Sequence, residues 1–138
     1  RRVWEKAVGP GHPHVAGTLN GLARIELERK SWDAAESLAR ESIARTEKSG
    51  GPENRALVAP LITLGRVLLG RGRGAESIQA LERAVALSEK MTGDFGDVAV
   101  AKYYAARALL AEGRRARGEE LLTAAGDLLT RLPPETYE

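Results

Sequence analysis

Apolar residues at Val15, Leu19, Leu22 and Ala23 fall at i, i+4, i+7 and i+8, one stripe of an amphipathic helix. The stripe predicts a helix from about Pro13 to Arg29. The polar run Lys30-Ser31-Trp32-Asp33 interrupts it, with Ser31 or Asp33 placed to cap whatever follows. Helical spacing then resumes through Ala35, Leu38, Ala39, Ser42 and Ile43 and stops at Gly50-Gly51-Pro52. The pattern is that of two helices joined by a short turn, a hairpin with helices A and B.

The hairpin recurs. Leu61, Leu64, Gly65 and Leu69 repeat Leu19, Leu22, Ala23 and Leu27 at a step of 42, and Val85 repeats Ile43. Glu5-Lys6, Glu47-Lys48 and Glu89-Lys90 keep the same step, as do Gly9, Gly51 and Gly93. Gly113 lies 41 beyond Gly72, so the third copy has lost one residue after Gly93. Three units follow, over about 9–50, 51–92 and 93–132. In the second unit Gly70-Arg71-Gly72-Arg73-Gly74 makes the turn, helix B is expected from about Ala75 to Met91, and Pro60 is expected to remove an amide and bend the first turns of helix A. In the third, the helices are expected over about Asp97 to Glu112 and Ala116 to Leu132. Residues 1–8 read as the end of a preceding helix B, with Trp4 packed on the first unit. Gly9 to Pro13 reads as a turn, and 133–138 as a loose tail beyond Pro133-Pro134.

Composition narrows the class. Apolar residues make up 43% and charged residues 29% of 138, as in globular proteins, while aromatics are only 4%. A core built from Leu, Ala, Val and Ile suits close helix packing, so the fold class is all-α. One hairpin cannot bury both of its apolar faces, whereas stacked hairpins build a continuous core. Small residues at Ala23, Gly65 and Ala106, and opposite them at Ala35, Ser77 and Gly118, permit close approach of A and B. The absence of cysteine excludes disulfides, thiolate ligands and thiol nucleophiles. A net charge of +2 gives only weak whole-molecule attraction to anionic polymers or lipid. No apolar run of membrane-spanning length and no leader pattern is visible, which reads as a cytoplasmic protein. The start at Arg1, late in a repeat unit, reads as a piece of something longer.

In these repeats the chain resembles the tetratricopeptide repeat family. The carrying residues are Leu22-Ala23, Trp32, Ala35 and Ser42, then Leu64-Gly65, Gly72, Ser77 and Ala84, then Ala105-Ala106, Gly113, Gly118 and Ala125. The long step and Gly9-Pro10-Gly11-His12-Pro13 look most like the longer variant of kinesin light chains and bacterial signalling proteins. Glu26, Gly74 and Arg115 depart from the family pattern. The resemblance implies a right-handed superhelical solenoid of antiparallel hairpins. It implies a concave wall of A helices that binds a peptide or partner domain, in a non-enzymatic scaffold within a larger signalling protein.

Residues one position beyond the packed stripe would face that wall: Asn20, Arg24 and Leu27, then Ile62, Arg66 and Leu69, then Tyr103 and Arg107. The recurring arginine offers a guanidinium fork suited to carboxylates or phosphorylated side chains, so the partner is expected to be acidic. Tyr103 and Tyr104 add stacking surface. Arg24 has Glu28 at i+4, an in-helix partner that Arg66 and Arg107 lack.

Other chemistry is thin. His12 and His14 have no further ligands at metal spacing, and the carboxylates Glu26, Glu28, Glu119 and Glu120 read as solvated faces rather than acid–base pairs. The glycine-rich turn lacks the lysine, hydroxyl and preceding strand of a phosphate loop. No catalytic residue, metal or small-molecule cofactor is expected. Two alternatives remain: phosphate-backbone binding of nucleic acid through the edge arginines Arg71, Arg73, Arg114, Arg115 and Arg117, or a purely structural solenoid that pairs end to end.

Overall fold

The structure, a computed structural model, describes residues 13–90 and 95–130. Six α-helices run through them: α1 (Pro13–Glu28), α2 (Trp32–Gly50), α3 (Val58–Gly70), α4 (Gly74–Glu89), α5 (Phe95–Ala111) and α6 (Arg115–Thr130). A 3-10 turn, Arg55–Leu57, leads into α3. These bounds lie within about two residues of those read from periodicity. The expected stump over 1–8, the turn over 9–12, Trp4, His12, Gly93 and the tail over 133–138 lie outside the described residues.

Each hairpin turns on one residue of left-handed backbone: Lys30 at φ 60°, Gly72 at 78° and Gly113 at 77°. Their spacing reproduces the long and the shortened step. Each closes its A helix in the same way. The Lys30 N–H donates to Leu27 O and the Ser31 N–H to Glu26 O; Gly72 and Arg73 do so to Leu69 and Leu68, and Gly113 and Arg114 to Leu110 and Leu109. This double bond satisfies carbonyls that the helix end leaves open. Ser31 sits at the N-cap of α2, yet makes no side-chain cap bond, because its backbone (φ −86°, ψ 77°) is not the extended one that capping uses. Asp33, the other expected cap, reaches Arg71 instead.

Pro60 is the third residue of α3, where an amide would have no intrahelical acceptor, so it removes no hydrogen bond from the ladder. Asn54 starts the approach to that helix by accepting the Ala56 N–H at 3.0 Å.

Within each hairpin A packs on B, and each B helix that has a following hairpin packs on that hairpin's A helix as well. One core cluster runs through the stack, from Ala23, Ala39 and Ile43 through Leu61, Leu64, Leu81 and Ala84 to Ala105, Leu109 and Leu121. Gly65 allows a close crossing of α3 and α4. A Cβ there would collide with Leu81, and the Ser77 hydroxyl donates to the Gly65 carbonyl at 2.7 Å. Trp32 covers Leu27, Ala35 and Val67 and packs against Gly70, joining the first hairpin to the second. Among the described residues, no helix is long and apolar enough to cross a membrane.

Candidate protein-binding groove

The A helices α1, α3 and α5 lie side by side, α3 touching both others. Their faces turned away from the B helices form a shallow groove of about 280 Å³. Asn20 and Arg24 line it from α1, Ala59, Ile62, Thr63 and Arg66 from α3, and Asp97, Val100 and Tyr104 from α5. A second concavity on α1, between Gly21, Arg24, Ile25 and Glu28, continues it past the first hairpin.

The three arginines are not equivalent. Arg66 has its guanidinium 4.9 Å from the Tyr104 ring centroid and 3.5 Å from Glu28 of the preceding hairpin. Glu28 therefore serves Arg66 rather than its own i−4 neighbour, and Arg66 does have a carboxylate partner, contrary to the reading from its own helix alone. Arg107 lies 5.8 Å from the centroids of both Tyr103 and Tyr104. Those rings meet edge to face, 5.2 Å apart at 72°. Two cations thus share one aromatic pair, each favoured by the ring quadrupole. Arg24 stands apart, exposed and without an ion pair to another described residue.

Asn20 contributes the groove's one sign of strain. Its Oδ1 is buried and has no hydrogen-bond partner. It also borders a neighbouring cavity lined by Ser42, Thr46, Asn54 and Pro60.

Leu27 and Leu69 do not belong to the groove surface. Leu27 is buried beneath Trp32 and beside Val67, and Leu69 is half-buried against the main core cluster. Both lie in the last turn of their A helix, where the chain folds back onto helix B. Tyr103 is exposed beside the groove, and Ile62 forms part of its floor. Thr63, Ala59, Val100 and Asp97 were missed. Val100 and Asp97 lie one and two turns before Tyr104, a spacing that marks the same face.

The edge arginines make a structural seam. Arg71 pairs with Asp33 at 2.6 Å, Arg73 with Glu36 at 2.9 Å and Glu76 at 2.8 Å, and Arg117 with Glu82 at 3.1 Å and Glu120 at 2.7 Å. The hydrogen bond from Arg73 holds the Glu76 carboxyl below its ordinary range, and hydrogen bonding, to Glu76 and Glu82 respectively, pushes the Arg73 and Arg117 guanidinium groups up. Arg71, Arg73 and Arg117 of the edge row are thus paired with carboxylates, whereas Arg114 is exposed and Arg115 has only Glu119 at 3.7 Å on exposed surface.

Comparison with known proteins agrees with the fold. A family model described as tetratricopeptide repeat matches residues 14–90. A crystal structure of a putative kinesin light chain from Podosopora anserina with nearly identical TPR-like repeats superimposes with a TM-score of 0.72 at 23% identity, covering 94% of this chain and 62% of that one. A variant of the same protein gives 0.74 at 23%, covering 92% and 60%. The chain spans about three fifths of the length of those structures, and the likeness is one of fold. No curated protein matches the sequence.

Proposed function

Because the chain belongs to the tetratricopeptide repeat family, we propose that its wall of α1, α3 and α5 is a non-enzymatic groove for a segment of a partner protein, and that this segment is acidic. One observation carries the reading: the exposed Arg24 guanidinium, which has no ion pair to another described residue, lines a groove together with Ile62, Val100 and Tyr104. The guanidinium fork suits a carboxylate or phosphoryl group of the partner segment. Ile62, Val100 and Tyr104 supply an apolar floor for the next side chain. Arg66 and Arg107 lie against the tyrosine pair, Arg66 also paired with Glu28 and Arg107 exposed. In this reading the module works as a scaffold within a larger cytoplasmic signalling protein, in line with its resemblance to long-repeat relatives.

A titration with a fluorescein-labelled peptide of alternating glutamate and leucine, read by anisotropy, tests the groove. Binding is expected to weaken at least tenfold in Arg24→Glu and in Arg66→Glu with helical content intact, about the 1.4 kcal/mol of one charge-assisted hydrogen bond. Unchanged affinity in both variants would overturn the reading.

A further inference from the structure

The two seams between hairpins are built differently. α2 meets α3 less extensively than α4 meets α5, and on the B-helix side of that first seam a cleft of about 340 Å³ opens between α2 and α4. Leu61, Leu64 and Leu68 of α3 form its floor, Ile43 and Ala44 of α2 one wall, and Gln79 and Ala80 of α4 the other. All three helices are flanked on both sides by described helices.

The repeat shows what the cleft lacks. Leu38, Ala80 and Leu121 hold one position in successive units, so the second unit has a methyl group where the other two have an isobutyl group. Leu121 is buried in the core cluster. Lys102, which stands where Leu61 does one unit earlier, has its side chain 14% exposed and reaches Glu89, the counterpart of Glu47, at 3.0 Å. A leucine and a lysine stem thus occupy in the second seam the positions that Ala80 and Leu61 hold in the first. There Glu47 is met instead by Arg83 at 2.6 Å, and two turns earlier Arg40 approaches Glu76 at 3.6 Å. These pairs bridge α2 to α4 on either side of Ile43, Ala44, Gln79 and Ala80, of which Ala44 and Gln79 are exposed.

We propose that this cleft is a docking site for a single leucine side chain of a partner protein. The leucine takes the room that Leu121 fills one unit on, and the exposed Gln79 amide at the lip offers a donor and an acceptor to the partner's peptide group. Charge selects the occupant. The two cations and two carboxylates at the mouth are paired with one another, so a charged side chain entering between them would lose water without finding a partner. An isobutyl group instead removes apolar surface from water on both sides of the contact. The room is sufficient, since an apolar cavity of about 150 Å³ holds benzene. The cleft and the groove lie on opposite faces of α3, so failure of this proposal and failure of the groove reading are separate results.

Methyl ¹H–¹³C spectra of the 138-residue chain test it, titrated with the acetylated and amidated peptide Ala-Ala-Leu-Ala-Ala and with its all-alanine counterpart. The leucine peptide is expected to shift the methyl signals of Ile43, Leu61, Leu64 and Leu68 with an affinity at least tenfold above that of the alanine peptide. Ala80→Leu, which fills the cleft from within, should abolish those shifts with helical content intact. An equal response to the two peptides would overturn the proposal, as would shifts that persist in Ala80→Leu. So would tighter binding of 3-methylbutan-1-ol than of the leucine peptide, which would mark a site for a small free molecule rather than for a protein segment. Circular dichroism checks the fold, and Ala44→Leu closes the cleft from the opposite wall should Ala80→Leu lose helical signal.

Discussion

The guanidinium of Arg66 stands 4.9 Å from the Tyr104 ring centroid, tying α3 to α5 across the floor of the groove. The contact belongs to two units that share no local sequence, so it reports on the stack rather than on either hairpin. A double-mutant cycle with Arg66→Gln and Tyr104→Leu, measured by urea unfolding, is expected to give a coupling of about 0.5–1 kcal/mol. Additive effects would mean that the two side chains are merely adjacent.

Gly65 and Gly126 provide a matched pair. A methyl group on Gly65 would run into Leu81, whereas one on Gly126 meets nothing within 4 Å. Gly65→Ala should therefore cost about 1–3 kcal/mol through overpacking. Gly126→Ala, in the interior of α6, should gain up to about 1 kcal/mol from helix propensity. Equal effects at the two sites would contradict the close crossing of α3 and α4.

Lys30 holds the left-handed position that glycine fills at 72 and 113. A side chain there carries a steric penalty, and Lys30→Gly is expected to raise stability by about 0.5–1 kcal/mol despite the added freedom of the unfolded chain. A lower melting temperature would show that the lysine side chain contributes more than its backbone costs.

Acid should weaken two surface ion pairs of the second unit. The hydrogen bond from Arg73 depresses the Glu76 carboxyl below 4.5, and the one from Lys90 does the same to Glu53. A carboxyl depressed on folding adds stability that is complete above its unfolded value and is lost as pH falls from 4.5 through the lower folded value. Both groups are exposed, so the loss per site is small. Melting temperature should fall below that pH, and less steeply in the double variant Glu53→Gln, Glu76→Gln; an unchanged slope would place the acid sensitivity elsewhere.

The periodicity of Val15, Leu19 and Ala23, and its recurrence, gave the helices, their bounds and the shortened third step, because those are properties of one strand of sequence read against itself. What escaped depends on a neighbouring unit. Leu22 has the spacing of a core residue and is exposed, since no described helix covers that side of α1. Leu27 has the spacing of a groove residue and is buried, since Trp32 and Val67 close over it. The partner of Arg66 is Glu28, 38 residues earlier, and that of Arg71 is Asp33 at the same separation, far outside any in-helix rule. The groove face was readable through Asn20, Arg24, Ile62 and Arg66. That Arg66 is paired with Glu28 while Arg24 has no ion pair to a described residue was not, because pairing is set by the stacking.

The most direct test of the groove is an ¹⁵N–¹H correlation spectrum of the chain titrated with the glutamate–leucine peptide. The account expects shifts at Asn20, Arg24, Ile62, Arg66 and Tyr104, on three helices that only the stacked fold brings together. Shifts confined to Arg71, Arg73, Arg114 and Arg117 along the edge, or none at saturating peptide, would contradict it.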